Sequence, residues 1–93
     1  MSIASGLKRT AEVAIDTGCE AVQMFSGNPN SWHTPSLSPE SAEEFVTLLA
    51  KNGIEPVVCH TPYLVNLAAP DPDILARSRD TVRAALSRAA MVQ

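Results

Sequence analysis

The chain has 93 residues, of which 45% are hydrophobic and 18% charged, and its formal net charge is -3. That length allows one small domain, in which only roughly 60 to 65% of the surface exposed by the unfolded chain becomes buried. The composition excludes a disordered chain, apolar runs such as Leu48 to Ala50 are too short to span a bilayer, and the acidic balance argues against a general coat for nucleic acid while leaving room for a local DNA-facing patch.

No basic segment followed by an apolar stretch stands at Met1, so a cytoplasmic protein with no membrane partner is expected. Cys19 and Cys59 lie far apart without C-x-x-C spacing, and read as two reduced, buried thiols.

In chain order, Met1-Ser2-Ile3-Ala4 could be only the tail of a strand, and Ser5-Gly6 is a plausible helix entry. From Leu7 the apolar residues Leu7, Ala11, Ala14 and Ile15 recur on one helical face, and Gly18 suits a helix end. Glu20 to Phe25 has no helical period and is bounded by turn residues, so it reads as a short strand. The loop from Ser26 to Leu37 is rich in Gly, Asn, Ser and Pro and carries Trp32 and His33; loops of that length in compact domains usually have a function.

Ser38-Pro39-Glu40 is a helix start, with a capping hydroxyl, a first-turn proline and acidic residues at the positive end of the dipole. Ala42, Phe45, Val46 and Leu49 form its expected buried stripe, and Asn52-Gly53 closes it. The apolar run from Pro56 to Cys59 is the next strand and ends on His60. A loop carrying Tyr63 and Leu64 leads to Asp71-Pro72-Asp73, another cap followed by proline. The third helix then shows Leu75, Ser78, Val82, Ala85, Leu86 and Ala89 on one face, with Arg77, Arg83 and Arg88 largely outside it.

Alternating strands and helices with tight helix-to-strand turns imply an α/β fold with a parallel sheet, in which the long loops at strand C-termini build sites. His60, Tyr63 and Trp32 all fall on that face. Alternation along the strand points Val58 and His60 one way and Val57 and Cys59 toward the helices. His60 is then either a hydrogen-bonded structural histidine or a metal ligand or proton shuttle. Tyr63 and Leu64 are either a hydrophobic lid on their own loop or a wedge that enters a ligand or base stack. Trp32 is packing or a stacking platform, and His33 a solvated loop residue.

Several strings resemble the N-terminal third of endonuclease IV: Ser2-Ile-Ala-Ser-Gly-Leu7, then Ala21-Val-Gln-Met-Phe-Ser-Gly-Asn-Pro29 with Trp32, and above all His60-Thr-Pro-Tyr-Leu-Val-Asn-Leu-Ala68. That family comprises zinc-dependent apurinic/apyrimidinic endonucleases within the xylose-isomerase-like superfamily. The resemblance implies a partial TIM (β/α)8 barrel of about three βα units with a parallel sheet, residues 1-93 being the N-terminal fragment of a single barrel domain. It implies that His60 is a ligand of a three-zinc cluster, and that Tyr63 and Leu64 enter the minor groove of double-stranded DNA at an abasic site, where a missing base has already lost stacking and pairing. The loop of Asn28, Asn30 and Trp32 would contact the same DNA, Asn28 near its backbone.

The chain departs from the resemblance at about Asn30, where some family members carry an arginine, and at Ser5, where a second glycine is usual. The remaining zinc ligands would lie beyond Gln93. In the complete enzyme the implied reaction is hydrolysis of the phosphodiester 5′ to the abasic site by a zinc-activated hydroxide. The chain alone is expected to be inactive and to self-associate through open sheet edges. A sugar isomerase or epimerase on the same barrel, which would not need an exposed Tyr-Leu wedge, or a non-catalytic βα module that binds a partner with its long loops, are the other readings.

Overall fold

The computed structural model describes residues 3, 6-33 and 36-93. The strand remnant expected at Met1 to Ala4 therefore falls mostly outside the described residues, and Ile3 itself is in no strand. The described elements are α1 (Leu7–Thr17), β1 (Val22–Phe25), α2 (Pro39–Lys51), β2 (Val57–His60) and α3 (Pro72–Met91).

α1 buries Leu7, Thr10, Ala11 and Ala14, the face that the apolar spacing defines, with Thr10 added because its hydroxyl donates to the Gly6 carbonyl at 3.0 Å. Gly18 ends the helix in the left-handed region at φ 80°, which allows the Cys19 amide to turn back to the Ala14 carbonyl at 3.0 Å. β1 is shorter than the sequence suggests, although pairing continues outside it: Glu55 N–H donates to the Glu20 carbonyl and Val22 N–H to that of Pro56.

α2 starts where Ser38 Oγ accepts from Ser41 N–H at 3.3 Å, with Pro39 in the first turn. Ala42, Phe45 and Leu49 are buried and Val46 is half-buried. Phe45 is fully enclosed in the common core; burying such a side chain contributes about 1.5 to 3 kcal/mol. α3 starts on Asp71, whose carboxylate accepts from the amides of Asp73 and Ile74.

The inner face of α3 differs from the sequence reading. Leu86 is 66% exposed, whereas Ser78, Thr81 and Arg88 are buried. At 3.6 residues per turn Ser78, Thr81, Ala85 and Arg88 form one line, and Leu86 lies well round the helix from it. The spacing places Ser78 on the inner face, as observed, but assigns Arg88 to solvent; both have backbone partners inside: Ser78 Oγ accepts from Asn66 N–H at 2.9 Å, and the Arg88 guanidinium donates to the Ser26 carbonyl. Hydrogen bonding thus removes most of the burial penalty that hydropathy assumes.

β1 and β2 pair in parallel, with Val22 opposite Val57, Gln23 opposite Val58, Met24 opposite Cys59 and Phe25 opposite His60. Val22 and Met24 point into a single core with Leu7, Ala11, Ala14, Phe45 and Leu49, against which Val57 and Cys59 also pack. On the other face Gln23, Val58 and His60 are exposed. The alternation expected for Val58 and His60 is the one observed.

Candidate functional site

Because β1 and β2 run parallel and in register, their last residues stand side by side, and both long loops leave from the same edge. Phe25 and His60 are register partners with ring centroids 5.0 Å apart. Tyr63 comes back over them: its ring lies edge-on to Phe25 at 5.1 Å and is 6.0 Å from the His60 imidazole. Phe25 therefore supports both residues that the sequence singles out. It escaped notice there because it ends a strand as a plain apolar residue; the signal available was its position, terminal on β1 as His60 is on β2.

His60 Nδ1 lies 2.5 Å from the Thr61 carbonyl oxygen. A carbonyl can only accept, so Nδ1 carries the proton and a neutral ring keeps its lone pair on Nε2. An orienting backbone bond on one ring nitrogen is what a metal-ligating histidine commonly has. His60 itself is exposed at the end of its strand. Among the described residues, no three His, Cys, Asp or Glu side chains converge in a way that could hold a metal ion.

The two loops are stitched together where Tyr63 N–H donates to the Pro29 carbonyl at 2.8 Å. Beyond that point Tyr63 is 66% exposed and Leu64 39%, with Leu67 exposed on the next turn of the loop. Tyr63 thus leans its ring on Phe25 while most of its surface remains in water. Asn28 is exposed, but its Oδ1 accepts from Asn30 N–H at 2.9 Å, so the side chain shapes the loop as an Asx turn. Asn30 and His33 are exposed and Trp32 is half-buried, outside the Phe25, His60 and Tyr63 ring cluster. Thr34 and Pro35 of this loop lie outside the described residues.

Beneath the loops, Arg88 reaches the Ser26 carbonyl, the first loop residue after β1. Burial lowers the Arg88 pKa, against the interaction with Cys59, and burial pushes the Cys59 thiol up, against the charge of Arg88. Cys59 therefore remains a thiol, and both cysteines are free. An apolar groove of about 530 Å³, lined by Val46, Leu49, Ile54, Val57 and Val92 among others, lies at the opposite end of β2 from His60. No helix among the described residues is long and apolar enough to cross a membrane.

The family model described as xylose isomerase-like TIM barrel matches residues 11–93. A protein named probable endonuclease 4 from Natranaerobius thermophilus is 39% identical over 89 residues, covering 96% of this chain and 31% of that protein. One of the same name from Methanocorpusculum labreanum is 41% identical over 88 residues, covering 95% of this chain and 31% of that one. The crystal structure of endonuclease IV from Thermus thermophilus superposes with a TM-score of 0.92 at 35% identity, over 99% of this chain and 35% of that chain. The chain thus spans about a third of the length of the relatives it matches.

Proposed function

The chain belongs to the xylose isomerase-like TIM-barrel family and is similar to the N-terminal third of endonuclease IV, and from that premise we propose that it carries the abasic-site-reading corner of a DNA-repair endonuclease. In this reading residues 1-93 are the N-terminal portion of one barrel domain. Tyr63 and Leu64 are the wedge that enters duplex DNA where a base is missing, and the Asn28 to Trp32 loop lies along the neighbouring strand.

The observation that carries the reading is an apolar pair standing in solvent beside an oriented histidine. Tyr63 and Leu64 are both exposed, and Tyr63 is backed by Phe25 rather than drawn into a core. A backed aromatic ring gives up little conformational freedom on stacking, and stacking against a base is worth about 1 to 3 kcal/mol. An abasic position also resists insertion less than an intact pair. A sugar isomerase site has no use for such a wedge, which favours the nuclease over that alternative.

The zinc cluster that the resemblance implies needs several imidazole and carboxylate donors. His60, with Nδ1 committed to Thr61 and the lone pair on Nε2, fits one coordination position. The described residues do not supply the rest of a cluster. The residues present bind and orient DNA: the wedge holds the duplex open, and the Tyr63 to Pro29 backbone bond keeps the two reading loops in register.

The chain on its own therefore binds an abasic duplex without cutting it. Incubating the purified chain with a duplex bearing one abasic analogue, with and without added zinc, tests both halves. Binding in preference to the intact duplex, with no strand scission, is expected; scission that depends on zinc would overturn the expectation of inactivity, and equal affinity for both duplexes would overturn the wedge.

A further inference from the structure

α3 could have closed the core with an apolar face, yet its most deeply buried line is polar. Ser78 is 0% exposed and Arg88 6%. Buried polar side chains persist where they are bonded, because an unmade bond costs more than a made one contributes. Both find backbone atoms of the site loops. Ser78 Oγ accepts from Asn66 N–H at 2.9 Å, three residues after Tyr63, and the Arg88 guanidinium donates to the carbonyl of Ser26, itself only 7% exposed.

We infer that Arg88 and Ser78 are positioning residues: Arg88 sets the exit of the Asn28 to Trp32 loop from β1, and Ser78 sets the loop that presents Tyr63 and Leu64. The functional importance of these two loops rests on the reading given under Proposed function. Guanidinium suits the task because its donors are fixed in a planar fork. Its partner Ser26 is the first residue after β1, so the bond acts where that loop leaves the strand. The two loops are further coupled where Tyr63 N–H meets the Pro29 carbonyl. A displacement at Ser26 is therefore transmitted toward Tyr63.

Trp32 is the chain's single tryptophan and sits in the loop that Arg88 anchors, so its fluorescence reads that loop directly. The test compares Arg88→Met, Arg88→Lys and Ser78→Ala with the parent chain by Trp32 emission and acrylamide quenching, residue-resolved amide exchange, far-UV helicity and urea midpoint. Arg88→Met is expected to red-shift Trp32, raise its quenching and speed exchange at Tyr63, with Arg88→Lys recovering part of each. Ser78→Ala is expected to speed exchange at Asn66 by roughly fivefold, the factor that one ordinary hydrogen bond represents, while leaving Trp32 quenching near that of the parent.

A purely structural role would lower the urea midpoint and leave these native-state loop readouts unchanged, and that result overturns the inference. If Arg88→Met does not fold, Arg88→Lys and Ser78→Ala decide it: unchanged Trp32 quenching in the first together with unchanged Asn66 exchange in the second overturns it, and movement of either readout supports it. If the parent chain shows no preference for an abasic duplex, the functional reading fails, and the fluorescence and exchange results still decide whether α3 sets the loops.

Discussion

The Phe25 ring lies 5.0 Å from the His60 imidazole at an interplanar angle of 47°, each residue being the last of its strand and the register partner of the other. The same ring also meets Tyr63 edge-on. Phe25 is thus the floor on which an oriented histidine and an exposed tyrosine are held in fixed relation. Aromatic pairs of this geometry contribute about 0.5 to 1.5 kcal/mol each beyond simple burial.

Phe25→Ala removes both contacts and part of a half-buried side chain. The expected loss is about 2 kcal/mol of stability, read as a lower urea midpoint, with Phe25→Leu recovering part of it. Tyr63 should become more mobile on the nanosecond scale. A Phe25→Ala chain with the parent's midpoint and the parent's Tyr63 relaxation would remove Phe25 from the account of the site.

Much of this arrangement was legible in the residues. The 3.6-residue spacing of Leu7, Ala11 and Ala14 and of Ala42, Phe45 and Leu49 located two helical faces, and alternation correctly separated Val58 and His60 from Val57 and Cys59. What could not be read was the partner of a polar side chain. Arg88 looks solvated until the loop it holds is in place, since the Arg88 to Ser26 bond closes across most of the chain, and Ser78, although on the expected inner face, shows no partner until Asn66 stands beside it. Phe25 was hidden for a related reason: its role comes from cross-strand register, which a single strand does not contain. Leu86 erred the other way, because hydropathy draws every leucine inward although isolated exposed leucines are ordinary.

Phe45 is enclosed in the core that α2 closes, and Phe45→Ala should cost about 3 to 5 kcal/mol. Small domains commonly have only about 5 to 15 kcal/mol in total, so far-UV circular dichroism should show the variant largely unfolded at 37 °C or melting far below the parent. A small shift in melting temperature would mean that the core depends on other contacts.

Asp71 caps α3 by accepting from both Asp73 and Ile74 amides. Asp71→Ala leaves those donors at the helix start without a side-chain acceptor and should cost about 1 kcal/mol, whereas Asp71→Ser should cost much less. Because the cap also fixes where the Tyr63 loop enters α3, amide exchange at Asp73 and Ile74 should quicken before global unfolding does. Equal exchange in the Ala and Ser variants would rule out the side-chain cap.

Acid should weaken the start of α2 through Glu40. Backbone amide bonding, and then the hydroxyl of Ser38 at 2.8 Å, hold its carboxyl below its ordinary value of 4.5. A carboxyl whose folded pKa is depressed stabilises the fold fully above its unfolded pKa, and that contribution is lost as pH falls through the folded value. The parent chain should therefore lose stability on acidification below about pH 4.5 more steeply than Glu40→Gln, measured by urea midpoints across that range. Parallel pH profiles for the two chains would show that Glu40 contributes nothing to the acid response.

Tyr63 and Leu64 test the reading of the site as an abasic-DNA wedge. Tyr63 is the more exposed of the two and the only one with an aromatic support beneath it. Tyr63→Ala should reduce the preference for abasic over intact duplex by about tenfold, within the 1 to 3 kcal/mol that stacking supplies. Leu64→Ala should reduce it less, and Tyr63→Phe should retain most of it, since the ring rather than the hydroxyl does the stacking. Affinity for the intact duplex should hardly change in any of the three, because a closed base stack gives the wedge nothing to enter. Equal losses on both duplexes would mean that Tyr63 supports the loop without reading the lesion, and the Phe25 contact would then be its whole role.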